Sequence, residues 1–202
     1  MQIEVEQKSE EWYRLRKLKL SASRATCIAA NGKGLKTYVM ELLQDYYSTA
    51  EKDNFSNYHT DRGNEQESSA RFLYSVESGN EVHKAGYETY DKHPDFVGCS
   101  PDCYVKDNGL AEIKCPADKG YFDYLVSGKI DSGYMWQMQM QMLVCGKEWN
   151  DYVVYNPNFS KELIIKRVEP DEEKFKKLEA GFVSGIEMLK EIKSKMDAIL
   201  KQ

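Results

Sequence analysis

The sequence predicts an α/β fold, and three observations carry that prediction. Residues 99–116 hold a strand, turn and strand signal in which Asp107-Asn108-Gly109 separates two runs of strand-like composition. Asn-Gly is the strongest short hairpin signal because both residues tolerate positive φ. Two more runs of strand character, Trp149 to Tyr155 and Leu163 to Val168, are joined through the turn sequence Asn156-Pro157-Asn158. Around these stand stretches of helical spacing, above all Phe175, Leu178, Phe182, Ile186, Leu189, Ile192 and Met196, which follow a Pro170 suited to the first turn of a long helix.

Length and composition frame the reading. The 202 residues suit a single domain over 1–202, long enough to bury a substantial core. A hydrophobic share of 41% beside 30% charged residues is that of an ordinary globular protein. The sequence contains no apolar run long enough to cross a bilayer and no leader-like pattern at Met1-Gln2-Ile3-Glu4, so a cytoplasmic location without membrane contact is expected. The net charge of −5 argues against a uniformly basic nucleic-acid surface, while leaving room for local phosphate contacts. Cys27, Cys99, Cys103, Cys115 and Cys145 are odd in number and spread out, as expected of reduced, mostly buried thiols; a zinc or iron–sulfur site on Cys99, Cys103 and Cys115 lacks an evident fourth ligand.

In chain order, Glu10 to about Lys17 reads as a short helix with Trp12, Leu15 and Leu18 on its apolar side. Ser21 is a good N-cap for a helix to Ala30, ended by the loop Asn31-Gly32-Lys33-Gly34. Lys36 to Tyr47 continues as a helix with Tyr38, Val39, Leu42 and Leu43 inward, and the polar Thr49 to His59 reads as a mobile loop. A third helix runs from Thr60 or Asp61 to about Ser75, Glu81 to Tyr90 has strand character, and Lys119 to Ser127 suits a helix. Tyr134 to Val144 is ambiguous: Gln137 to Met142 alternates with period two, yet Gln and Met are helix formers. His59, His83 and His93 have no mutual ligand spacing and take no catalytic role.

The hairpin carries the chemistry. Side chains alternate along a strand, so Glu112 and Lys114 share one face while Ala111, Ile113 and Cys115 share the other, taken as the core face. With a three-residue loop Asp107 to Gly109, Lys106 pairs with Leu110 and Asp102 falls opposite Lys114, with Glu112 on the diagonal. A two-residue loop sends Asp102 to the wrong face, so the longer loop is expected. Two carboxylates converging beside a lysine suit a hard divalent cation such as Mg²⁺, which takes oxygen ligands and keeps water positions open. Alone, so short a pattern also fits solvated charges on a surface hairpin.

The neighbouring residues are more specific. Ser100-Pro101-Asp102, a turn and Glu112-Ile113-Lys114-Cys115-Pro116 resemble the core of the lambda exonuclease, or YqaJ-type viral recombinase, family of PD-(D/E)xK nucleases. Further matches are Glu11-Trp12-Tyr13-Arg14-Leu15-Arg16, Ser21-Ala22-Ser23, Arg62-Gly63-x-x-x-Glu67 and Tyr134-Met135-Trp136-Gln137-Met138-Gln139, all in the expected order. The resemblance implies a restriction-endonuclease-like core, a central mixed β-sheet flanked by helices, with a helix at 134–144 whose Gln137 nears the catalytic centre.

It further implies the roles of single residues. Asp102, Glu112 and the Ile113 main-chain carbonyl would bind Mg²⁺, with Mn²⁺ able to substitute. Glu67, favoured by family spacing over its rival Glu65, would assist at a second ion or its water. Lys114 and Gln137 would position the attacking water. Arg16, Ser23 and Ser100 would hold a 5′-phosphate, which suits a guanidinium fork and hydroxyls; on the residues alone, Ser21 and Ser23 also read as caps and Arg16 as a surface charge. Lys119 would meet DNA, or else is a plain surface lysine. The implied activity is a 5′-to-3′ exonuclease that digests one strand of linear duplex DNA and leaves a 3′ overhang. The implied partners are DNA ends, a single-strand annealing protein of phage-type recombination in a bacterial host, and further copies of the chain in a toroidal homotrimer. A structure- or sequence-selective endonuclease and a non-catalytic DNA-binding scaffold are the rival readings.

Overall fold

A five-stranded mixed sheet runs through the middle of the protein and carries the hairpin at its centre. The computed structural model describes residues 1–49 and 58–201, with the backbone alone for 58–65. The N-terminal part comprises strand β1 (Gln2–Ile3), helix α1 (Glu10–Arg16), β2 (Leu20–Ser21), α2 (Ala25–Ala30), α3 (Lys33–Tyr47) and α4 (Tyr58–Ser78). The short strands β3 (Val82–Lys84), β4 (Tyr87–Thr89) and β5 (Val97–Cys99) lead into the hairpin of β6 (Cys103–Val105) and β7 (Gly109–Lys114). Then come α5 (Asp118–Ser127), α6 (Ser132–Cys145), β8 (Trp149–Tyr155), β9 (Leu163–Val168) and the long α7 (Glu172–Ile199). No helix among the described residues is long and apolar enough to cross a membrane.

The main sheet has the order β3-β6-β7-β8-β9, and β7 pairs parallel with β8 but antiparallel with β6. A parallel pair in mid-sheet needs helices on both faces. On one face Ala111 and Ile113 pack with Ala70 and Tyr74 of α4. On the other, Leu110 packs with Met138 and Met142 of α6 and Tyr121 of α5. This corrects the expectation of a single core face: Glu112 stands on the second buried face and is only 1% exposed.

The hairpin register also differs from the expected one. Val105 pairs with Gly109 and Cys103 with Ala111, so the turn is Lys106 to Asn108 rather than Asp107 to Gly109. Gly109 is not used for positive φ; Lys106 takes the left-handed conformation instead, at φ 51°. Gly109 is held in the strand by packing, since a Cβ there would lie 2.1 Å from the Trp149 ring. The shift moves the pairing by two residues and so keeps the parity. Continued one residue beyond the ladder, it brings Asp102 abreast of Glu112 instead of Lys114.

A second sheet, β1-β4-β5-β2, was not visible in sequence because its strands are two or three residues long. The expected strand from Glu81 to Tyr90 is divided between the two sheets as β3 and β4. The break falls at Ala85-Gly86, where a Cβ on Gly86 would come within 2.4 Å of the Ile3 carbonyl oxygen. Around this sheet α2, α3 and α7 bury Leu20, Ile28, Leu35 and Phe182.

Several boundaries move for local reasons. Ser21 ends β2 and precedes a 3₁₀ turn at Ala22–Arg24 without making a capping hydrogen bond, so α2 starts later than expected, at Ala25. Asn31, at φ 47°, ends α2, and α3 begins at Lys33 within the expected loop. Most of the expected loop Thr49 to His59 lies outside the described residues, and Tyr58 and His59 are already helical. Pro170 stands before the N-cap of α7 rather than in its first turn; the cap is Asp171, whose side chain accepts from Glu173 N and Lys174 N. The ambiguous stretch 134–144 is helical within α6. That helix is walled by two cores, with Met138 and Met142 in one and Met140 and Val144 in the other, which is why its pattern does not show a single apolar stripe.

Candidate active site

Five of the expected residues lie around one point at the end of β7. The Asp102 carboxylate, just ahead of β6, accepts the Ile113 main-chain N–H at 2.7 Å through Oδ2. Asp102 therefore sits against the backbone of the residue between Glu112 and Lys114. Glu112 Oε1 accepts from Lys114 Nζ at 2.5 Å and from Gln137 Nε2 at 2.6 Å. The Lys114 ammonium also lies 4.7 Å from the centroid of the Tyr134 ring. Glu67, on α4, pairs with Arg71 Nη1 at 3.6 Å and is near enough to Asp102 to act on its charge.

The electrostatics reflect this crowding. Burial first, then the Glu112 and Glu67 carboxylates, push Asp102 up to about 8, against the pull of Lys114 and the Ile113 N–H. Burial draws the Lys114 ammonium down, but Glu112 and Asp102 outweigh it and hold its pKa above the ordinary lysine value. Lys114 is therefore a standing cation, suited to donate hydrogen bonds and stabilise negative charge rather than to accept a proton.

A divalent cation fits this donor set. Asp102 and Glu112 are close enough for each to oppose the other's charge, and a hard ion commonly takes only one or two carboxylates while its other positions go to water and phosphate oxygen. Among the described residues no group of three or more His, Cys, Asp or Glu side chains is arranged to hold a metal. Cys99 belongs to the core around α2 and α7, whereas Cys103 and Cys115 pack on the α4 side of the main sheet, so these thiols do not converge. None of the five cysteines is in a disulfide.

Of the residues expected at the 5′-phosphate, two line one cavity and the third stands outside it. Arg16 and Ser23 line a cavity of about 560 Å³ together with Lys17, Lys19, Arg24 and Tyr38. Ser21 ties its floor: its hydroxyl lies 3.2 Å from Ser23 Oγ and 3.1 Å from the Tyr38 hydroxyl. Ser100 does not line this cavity. It accepts from Trp12 Nε1 at 2.7 Å, and the Arg16 guanidinium lies 4.2 Å from the centroid of the Trp12 indole ring, so Trp12 links the two. Lys119 is exposed in the first turn of α5. The side chains of Arg62 and Glu65 lie outside the described residues.

Reading the sequence missed Gln141, Asn150 and Arg71. Gln141 Nε2 donates to Glu112 Oε2 at 2.6 Å, and Asn150 Nδ2 donates to Gln141 Oε1 at 2.8 Å. The signal for Gln141 was available: once 134–144 is read as a helix, Gln137 and Gln141 stand at i and i+4 on one face. For Asn150, a polar residue within an otherwise apolar strand, only its burial reveals a purpose.

Two carboxylates with a lysine beside them at the end of a central strand have the arrangement of a nuclease-type site of the PD-(D/E)xK kind. The sequence matches the YqaJ-like viral recombinase domain over residues 11–148, and the chain belongs to that family. It is a nuclease enzyme of the viral recombinase type. Among solved structures it is similar to the alkaline exonuclease LHK-Exo of Laribacter hongkongensis, at 29% identity and a TM-score of 0.85, covering 96% of this chain and 99% of that one. LHK-Exo in complex with dAMP is 30% identical with the same TM-score and coverage. A phage-related exonuclease of Haemophilus somnus shares the fold at 18% identity and a TM-score of 0.65, covering 91% of this chain and 98% of that one. No curated protein matches the sequence.

Proposed function

We propose that the protein is a Mg²⁺-dependent exonuclease that digests one strand of linear duplex DNA from its 5′ end and leaves a 3′ overhang for phage-type annealing recombination. The observation that carries this reading is the meeting of Asp102, Glu112, Lys114 and Gln137 around the Ile113 backbone. Asp102, Glu112 and the Ile113 carbonyl would hold the ion, with Mn²⁺ able to replace Mg²⁺ and Glu67 assisting at a second ion. When bound, the ion supplies charge neutralisation at the phosphodiester and a more acidic water. Lys114 and Gln137, which already share Glu112 Oε1, donate to and orient the attacking water, and the Lys114 charge opposes the negative charge that builds on the phosphoryl oxygens.

End dependence is supported by the cavity around Arg16 and Ser23. It brings Arg16, Lys17 and Lys19 together with the hydroxyls of Ser21, Ser23 and Tyr38, beside Asp45 and an Arg24 that pairs with Glu41, and Ser100 stands two residues before Asp102. An endonuclease has no need of such a pocket. The exposed Lys119 would meet the DNA backbone. A homotrimer around the DNA, a single-strand annealing partner and a cytoplasmic location in a bacterial host complete the proposal.

The test compares linear duplex DNA bearing 5′-phosphate or 5′-hydroxyl ends with covalently closed circles, in Mg²⁺, using wild type and Lys114→Ala. Rapid loss of the phosphorylated linear strand alone, abolished by the substitution, is the expected result. Cutting of closed circles would favour an endonuclease, and no cleavage of any substrate would favour a binding scaffold.

A further inference from the structure

Behind the candidate ion site, Glu112 is gripped by a chain of buried amides. Its Oε1 side opens towards solvent through Lys114 and Gln137, both partly exposed, whereas its Oε2 accepts from Gln141, which is itself bound by Asn150. Gln141 and Asn150 are each 0% exposed, and Glu112 is 1% exposed. We propose that Gln141 and Asn150 are positioning residues that fix Glu112 for the divalent ion, with Asn150 acting through Gln141. The inference rests on the reading of Asp102 and Glu112 as ligands of that ion.

Chemistry sets the direction of the chain. An ionised carboxylate only accepts, so Gln141 must turn its NH₂ group to Glu112 and its carbonyl oxygen to Asn150. Asn150 must then donate, which leaves its own Oδ1 as a buried acceptor without a hydrogen-bond partner. Buried polar atoms are nearly always paired, and an apolar residue at position 150 would carry no such orphan. What the asparagine supplies in return is the donor held on Gln141.

The three residues come from three elements. Glu112 lies on β7, Asn150 on the parallel neighbour β8 abreast of Leu110, and Gln141 on α6 above them. The chain therefore registers the helix that carries Gln137 against the strand that carries Glu112 and Lys114. With Oε2 anchored from the buried side, the carboxylate cannot rotate, and Oε1 stays directed to the site.

The test is Mn²⁺ binding to the metal-free full chain, followed by electron paramagnetic resonance, with the melting temperature recorded in chelator. Gln141→Met removes the donor at nearly constant volume. Asn150→Leu removes the support of Gln141 and abolishes the Oδ1 orphan while leaving Gln141 Oε1 unpaired, so one unpaired acceptor replaces another. Each substitution is expected to weaken Mn²⁺ binding by about 10–100-fold, the range found for groups that orient metal ligands. Asn150→Leu is expected to do so with its melting temperature close to that of wild type, and to add nothing in the Gln141→Met background. Asp102→Asn is the control for the site itself. Loss of Mn²⁺ in Asp102→Asn with undiminished affinity in Asn150→Leu would overturn the inference and spare the site, as would losses that multiply in the double variant. Undiminished affinity in Asp102→Asn would overturn both. Should Gln141→Met not fold, the affinity of Asn150→Leu decides the matter.

Discussion

The Asp102 carboxylate accepts the main-chain N–H of Ile113 at 2.7 Å, so the first acidic residue of the site is fastened to the backbone between the second acid and the lysine. An asparagine at position 102 can still accept that hydrogen bond. Asp102→Asn is therefore expected to fold, with an unchanged far-ultraviolet circular dichroism spectrum, and to lose DNA cleavage in Mg²⁺ by roughly 10³-fold, the rate equivalent of several kcal/mol of charge stabilisation. Near-wild-type cleavage would remove Asp102 from the site.

The pocket at Arg16 makes a separable prediction. Arg16→Ala removes a charge-assisted contact to a terminal phosphate, worth about 1.5–3 kcal/mol, so the preference for 5′-phosphorylated over 5′-hydroxyl ends should fall roughly 10–100-fold. Cleavage of 5′-hydroxyl ends should change little. Competition between the two substrates in one reaction measures the ratio directly, and an unaltered preference would detach the cavity from end recognition.

Gly109 lies beneath the Trp149 ring, where a Cβ would approach to 2.1 Å. Gly109→Ala is expected to destabilise the protein by about 1–3 kcal/mol, as overpacking does, and to perturb tryptophan fluorescence. Chemical denaturation gives the value. A neutral result would mean that Trp149 gives way freely and that its packing does not hold Gly109 in the strand.

Asp171 caps α7 and also donates its own N–H to Gln139 Oε1 on α6 at 2.8 Å. The Lys174 side chain, followed by the backbone N–H groups of Lys174 and Glu173, holds the Asp171 carboxyl below its usual value of 3.8. A carboxyl depressed in the folded state contributes stability above its unfolded pKa and loses it as the pH falls through the folded value. Asp171→Ala should accordingly melt below wild type at pH 7, with the gap closing as the pH drops below 3.8. A gap independent of pH would mean that the cap works without its charge.

Much of this site was legible in sequence, for physical reasons that differ residue by residue. Asp102, Glu112 and Lys114 could be placed on one face because strand parity survives a register shift of two residues, even though the turn itself was misplaced. That misplacement arose because Gly109 serves packing against Trp149, a contact across 40 residues that no local turn rule contains. Gln137 came from the family resemblance, whereas Gln141 was hidden by the alternation of Gln and Met, which a helix buried on two sides produces as readily as a strand. Asn150 and the orphan it carries belong to tertiary structure alone. The second sheet was invisible because strands such as Leu20–Ser21 are too short to show any period.

Direction of digestion tests the central proposal most directly. A linear duplex with 5′-phosphate ends and a fluorophore on the 3′ end of one strand is incubated with the protein in Mg²⁺, and the labelled products are resolved by length over time. Digestion from the 5′ end keeps the label on a steadily shortening strand, and this is the expected result, absent in Lys114→Ala. Immediate release of the label as a mononucleotide would mean digestion from the 3′ end, and a few discrete internal fragments would mean endonucleolytic cutting; either would contradict the proposed function.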